Sequence, residues 1–265
     1  MSILSDKRNV QDILAVVSTA GKTILSSGAE VYRTEDTIRR LLSAIPGVSK
    51  INVYVVLGSI TVSFYLNEEP YTYLFSVNGA DVDLNRISLV NDFSRNFVAE
   101  KNTDYKKAID QLEKISTTKV YKRYPKYMVS ATTCGFFTLM FGGGFIEFLF
   151  SILIGFVSIN IIRPLQRNNI SFFLVDFIGA LAAGLISNIL SILIPTLNMD
   201  SLIIGAIMLL VPGMALTNAI RDTMSGDFVS GSSRLSEVIF AALAIALGVY
   251  VAHKLTHGGI FIWTL

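Results

Sequence analysis

The 265-residue chain is 52% hydrophobic with a mean hydropathy of +0.56, above the roughly 45–50% apolar content usual for soluble domains. A formal net charge of +2 points to no polyanionic partner, so nucleic acid is not an expected ligand. Cys134 is the only cysteine, which excludes an intrachain disulfide and a cysteine metal cluster.

The charges are unevenly placed. Beyond Lys126 the basic residues are only Arg163, Arg167, Arg221, Arg234 and Lys254, and the acidic residues are skewed the same way. This predicts a cytosolic α+β domain over 1–125 and a membrane domain over 126–265. The N-terminus is polar and charged, with no apolar core before a cleavage site, so no signal peptide is expected and the first half is assigned to the cytoplasm.

In the first half, Ile13, Val17, Ala20 and Ile24 recur at helical spacing and predict a helix over 7–27. Ser27 followed three residues later by Glu30 fits a capping box for a second helix, which carries Ile38, Leu41, Leu42 and Ile45 and ends at Pro46-Gly47. Ile51–Leu57, Ser59–Tyr65 and Tyr71–Val77 are rich in β-branched and aromatic residues and predict three strands, with a turn at 67–70. Two helices follow, one with Leu84, Ile87, Val90, Ser94 and Phe97, the other with Tyr105, Ala108, Leu112 and Ile115. Glu30, Arg33, Glu35 and Asp36 are clustered, but charges beside an apolar helical face usually form a solvated face. The half has no histidine or cysteine, and no nucleophile elbow, phosphate loop or metal-ligand spacing. Neither an enzyme nor a cofactor is expected.

After the basic, aromatic run 118–126, five transmembrane helices are predicted, at about 127–141, 145–162, 171–194, 202–219 and 235–255. Arg163 with Arg167, and Arg221 with Arg234, fall in alternate loops, whereas 142–144 and 195–200 carry no lysine or arginine. The positive-inside rule then gives a cytoplasmic N-terminus and an outside C-terminus. Glu147 and Asp176 are ionisable residues near the ends of their spans. His253 and His257 are one helical turn apart, but two ligands at a fraying end make a poor metal site. Gly179, Gly184, Gly205 and Gly248 read as helix-packing positions.

The fourth span stands out. Pro212 has no N–H and its ring clashes with the preceding turn, so a helix over 202–219 must kink or break there, next to Gly213. Thr217, Asn218, Arg221, Asp222, Asp227 and Arg234 follow just past membrane depth. A broken span with polar groups behind it points to a transporter's binding site; an ordinary proline kink in a packed helix is the alternative.

Four stretches resemble the threonine/serine exporter family, of the YjjP-like type. They are Gly28-Ala-Glu-Val-Tyr-Arg-Thr-Glu-Asp-Thr-Ile38, Val90-Asn-Asp-Phe-Ser-Arg95, Phe141-Gly-Gly-Gly144, and Val211 to Asp222 with the trailing Ser225–Gly231 and Arg234. The chain departs from the family at Leu74 and Phe75, where relatives often carry arginines, and at Leu209, where a second proline is common. The resemblance singles out Gly28, Glu30, Arg33, Glu35, Asn91 and Arg95 in the soluble half. It implies gradient-driven export without ATP, a bilayer, a small-molecule substrate, and a second, smaller membrane subunit that supplies the remaining spans.

The expected function is a subunit of a secondary exporter of threonine or serine. The alternatives are a succinate-type dicarboxylate exporter subunit, or a membrane-tethered protein whose soluble domain is regulatory or hydrolytic. A half-helix opening at Pro212-Gly213 would present N–H groups to a substrate carboxylate, with Thr217, Asn218 and Asp222 adding contacts. Glu147, Asp176, Arg221, Asp227 and Arg234 are the coupling or gating candidates.

Overall fold

The computed structural model describes residues 2–79, 82–100, 104–118, 123–168 and 170–258. The basic run 118–126 falls largely outside them, and the side chain of His257 falls outside them altogether. The chain forms two compact units, Met1–Val120 with Met214–Leu235, and Tyr121–Gly213 with Ser236–Leu265. The stretch after the proline, read from the sequence as the end of one span and the approach to the next, thus belongs with the N-terminal residues.

In the first unit, α1 (Ser2–Ser26) and α2 (Val31–Ser43) precede an antiparallel sheet of β1 (Val48–Val56), β2 (Ser59–Leu66) and β3 (Glu69–Ser76), in that order. α3 (Leu84–Glu100) and α4 (Tyr105–Thr117) follow. The helices bury most of the face their spacing predicted: Ile13, Val17, Ala20 and Ile24 of α1; Ile38, Leu41 and Leu42 of α2; Ile87, Val90 and Phe97 of α3, but not the exposed Leu84; Ala108 and Leu112 of α4; and β2 turns Ile60, Val62, Phe64 and Leu66 inward. These side chains form one core, and each large one contributes about 1.5–3 kcal/mol by leaving water. Gly21 lets α1 approach closely, since a Cβ there would lie 2.8 Å from Ile38 Cδ1 and 3.0 Å from Ile60 Cδ1.

Local details differ from expectation. The turn between β2 and β3 takes only Asn67 and Glu68, both at positive φ (51° and 71°), the geometry that matches strand twist in a two-residue hairpin. α2 ends at Ser43, before Pro46. The capping box does not form: Glu30 is the N-cap of α2 but makes no side-chain capping bond, and Ser27 Oγ is buried without a partner among the described residues. Glu30 is drawn away by two arginines, described below.

The second unit contains α5 (Arg123–Met140), α6 (Phe145–Arg167), α7 (Phe172–Leu193), α8 (Met199–Ile207) and most of α10 (Phe228–His253). α5 packs on α6 and α8, and α7 on α6 and α8. Glycines make the close approaches. A Cβ at Gly179 would lie 3.0 Å from Ile162, at Gly184 2.7 Å from Ala252, and at Gly248 2.8 Å from Ala180, while at Gly205 it would collide with Thr138. Outward faces carry Phe136, Phe145, Leu149, Leu153, Leu193, Leu243 and Leu247, all exposed, as suits a lipid surround.

The expected five spans are not matched one for one. Among the described residues, three helices are long and apolar enough to cross a bilayer: Phe145–Arg167, Phe172–Leu193 and Phe228–Thr256. The apolar part of α5, Tyr127–Met140, is shorter. The expected span 202–219 is two helices: α8 stops at Ile207, and α9 (Gly213–Met224) starts after the proline. The nine residues of α8 rise only about 14 Å, half of a hydrocarbon core of about 30 Å. α10 begins at Phe228, seven residues before the expected 235, so the polar loop ahead of it shrinks to Ser225–Asp227.

Candidate functional site

The site is built around the connection between α1 and α2. Gly28 sits at φ +82°, where a side chain is strained, and a Cβ would also lie 3.3 Å from Val82. The Asp83 N–H donates to Ser27 O at 3.1 Å and fixes the far side of the turn.

Four consecutive residues of this connection are held by α9 and the start of α10. Asn218 Nδ2 donates to Gly28 O at 2.7 Å, and Arg234 Nη2 donates to Ala29 O at 2.9 Å. Arg221 Nη1 donates to Glu30 Oε1, and the Val31 N–H donates to Asp222 Oδ1 at 3.1 Å. Asn218 and Asp222 are four residues apart, so they share one face of α9, and both are buried. Arg234, also buried, places Nε 3.1 Å from Asp222 Oδ2. Asp222 therefore satisfies an otherwise orphaned N–H at the positive end of α2, and Arg234 offsets its buried charge. Burial pushes the Asp222 carboxyl up from the usual aspartate value, against the pull of the Val31 N–H and Arg234, with Asp227 and Glu30 adding to the rise.

Glu30 has a second partner, Arg33, whose Nε lies 3.0 Å from Oε2. Burial opposes its ionisation, but its own backbone N–H, Arg221 and Arg33 outweigh that, and the carboxyl sits below the ordinary glutamate value. Beside this cluster is a cavity of about 340 Å³. It is lined by Gly28, Glu30 and Arg33, by Met214, Thr217, Asn218 and Arg221 of α9, and by Leu84, Ile87, Ser88 and Asn91 of α3.

The structure thus brings together Gly28, Glu30, Arg33 and Asn91 from the N-terminal motifs and Thr217, Asn218, Arg221, Asp222 and Arg234 from the stretch after the proline. Sequence reading missed Leu84, Ile87 and Ser88. The signal was there, because Leu84, Ile87, Ser88 and Asn91 are spaced three, four and seven apart along one face of α3.

Other candidates lie elsewhere. Arg95 is exposed on α3 and does not line the cavity. Glu35 accepts from the Val55 N–H at 3.0 Å; burial raises its carboxyl above the usual range, as does Asp227, while the Val55 N–H and Arg39 lower it. Asp227 Oδ1 accepts from the Ser230 N–H at 3.2 Å, in the first turn of α10. In the second unit, Pro212 and Gly213 lie at the break between α8 and α9. Glu147 accepts from the Gly144 N–H at 2.9 Å and from the Asn198 N–H at 3.0 Å, tying the start of α6 to the loop before α8. Asp176 is half-buried on α7 and interacts electrostatically with Glu237 of α10.

Known proteins agree with the motifs. The family model described as "Putative threonine/serine exporter" (ThrE) matches residues 15–256. A protein of Mycobacterium tuberculosis named "Probable threonine/serine exporter" is 22% identical over 264 residues, covering 96% of this chain and 48% of its own length. The "Threonine/serine exporter" of Corynebacterium glutamicum is 23% identical over 263 residues, covering 96% and 53%. The chain spans about half the length of the curated relatives it matches. No solved structure matches it significantly. Its apolar helices and the family match over most of its length make this a multi-pass membrane protein that belongs to the threonine/serine exporter family.

Proposed function

We propose that the chain is a subunit of a secondary active exporter of threonine or serine, working with a second, smaller membrane subunit that supplies further spans. One observation carries the reading: the helix break at 208–212 leads directly into α9, whose polar face is Asn218, Arg221 and Asp222. The break frees backbone groups that a continuous helix would have paired, and such irregular backbone is tolerated in a membrane protein where it lines a cavity or is covered by protein. In this reading the first turn of α9, opened by Pro212-Gly213, offers N–H groups to a substrate carboxylate, and Thr217 and Asn218 add polar contacts.

In this reading Asp222 has a positioning part. Both of its oxygens are engaged, by Val31 and Arg234, so it positions α9 rather than binding the substrate amine. Glu147 ties helix ends together, and in this reading Asp176 is the candidate for proton or ion coupling.

The test is efflux of radiolabelled threonine, serine and succinate from vesicles, with the chain alone and with its partner. Gradient-driven threonine or serine efflux only when both are present is the expected result. Robust efflux from the chain alone would remove the second subunit from the reading, and succinate as the sole exported acid would replace the substrate.

A further inference from the structure

The geometry points to the cavity lined by α2, α3 and α9 as a binding site for a small monocarboxylate whose acid group is gripped by Arg33 and Arg221. This rests on the exporter reading only for which acid the cell presents; the site itself follows from charge and geometry within the first unit.

One carboxylate, Glu30, faces two guanidiniums, one on each oxygen. Behind them Asp222 and Arg234 cancel each other. The cavity wall therefore carries one positive charge in excess. A guanidinium has five N–H donors in a planar fork, and each arginine meets Glu30 through a single nitrogen, which leaves donors suited to a second carboxylate.

Exposure separates the roles. The Glu30 side chain is only 7% exposed, whereas Arg33 and Arg221 are 37% and 54% exposed. Glu30, held ionised by its partners, is the buried anchor that orients two forks; the forks are what an incoming ligand meets. The two arginines come from different helices, α2 and α9, so a carboxylate bridging them would also tie α9 to α2 more firmly.

The rest of the wall sets the class of ligand. A volume of about 340 Å³ lies at the small end of ligand sites. Ser88 and Asn91 of α3 add neutral polar groups to the lining, and Met214 adds an apolar contact. One carboxylate balances the excess charge, whereas a dicarboxylate brings a second negative charge with no cation to meet it. L-Threonine and L-serine bring one carboxylate for the arginines and an ammonium from which Ser88 Oγ and Asn91 Oδ1 can accept, so they should bind more tightly than succinate, whose second carboxylate meets no cation.

Isothermal titration of the purified full chain in detergent tests this, with L-threonine, L-serine, succinate and inorganic phosphate as probes. Arg33→Gln should weaken threonine or serine binding roughly 10- to 100-fold, as expected for loss of a hydrogen bond to a charged group. Ser88→Phe, which fills the cavity without altering charge, should abolish it, and Lys106→Gln on α4 should leave it unchanged. No binding by the wild-type chain, or binding insensitive to both Arg33→Gln and Ser88→Phe, overturns the site. Phosphate or succinate binding as tight as that of the amino acids overturns the monocarboxylate assignment. The exporter reading fails separately: efflux absent while binding behaves as predicted removes the transporter and leaves the site, and efflux present while the wild-type chain binds none of the probes removes the site and leaves the transporter.

Discussion

At the scale of single residues, burial decides which of the charged candidates hold the unit together. Asp222 is fully buried and spends both oxygens on Val31 and Arg234. Arg234→Gln removes the cation and leaves the Asp222 carboxylate buried with only the Val31 N–H to meet it. Breaking such a pair costs about 3 kcal/mol or more, and thermal unfolding of the detergent-solubilised chain should show a loss of that order; a melting temperature unchanged from wild type would mean that the pair is solvated. Glu35 should act in the opposite sense. Burial raises its carboxyl in the folded state, so the folded state binds a proton more tightly than the unfolded one. Its ionised form is then a net cost at neutral pH, and that cost is relieved as pH falls through the raised value toward the ordinary 4.5. Glu35→Gln, which can still accept from Val55, should raise the melting temperature at pH 7, and the gain should fade by about pH 4.5. Equal offsets at both pH values would show that the effect is not one of ionisation.

At the scale of elements, the decisive feature is the interruption between α8 and α9. Pro212 removes a donor and clashes with the turn before it, so Met208–Pro212 cannot continue the helix. Proline costs about 3 kcal/mol relative to alanine in a helix interior, so Pro212→Ala should allow α8 and α9 to join without loss of stability. The expected outcome is a folded chain that still enters the membrane and still binds its partner, with efflux sharply reduced because α9 no longer begins a helix of its own at the break. Efflux at the wild-type rate would make the break a packing feature and remove 212–222 from the transport path.

At the scale of the whole molecule, the grouping of Met214–Leu235 with the N-terminal residues bears on topology. Arg221 and Arg234 contact Glu30 and Ala29, so they share one side of the membrane with the N-terminal motifs. Proposed as cytoplasmic, that side leaves the loop between α7 and α8 outside, with the C-terminus. A cysteine at Thr196, an exposed position that caps no helix, placed in a Cys134→Ala background, should react with a membrane-impermeant reagent added from outside to intact cells. Reaction only after the cytoplasmic face is opened would reverse the assignment.

The sequence by itself determined the elements and their inward faces. The alternation of Ile60, Val62, Phe64 and Leu66, and the helical spacing of Ile13, Val17 and Ile24, are local properties, because strand and helix periods are set by the backbone. It also determined that a helix could not pass Pro212, since the missing donor and the ring clash belong to the residue alone. The number of continuous spans was not legible, because an apolar run such as 202–219 has the same composition whether it forms one helix or two. Only the tertiary structure decided what Glu30, Asp222 and Arg234 do. Ser27 and Glu30 have the spacing of a local capping box, but a buried carboxylate gains more from two guanidiniums than from a single backbone N–H, and one of them lies 191 residues away. Partners that distant leave no periodic trace in the chain, so the meeting of the two motifs at one cavity could be seen only in the folded molecule.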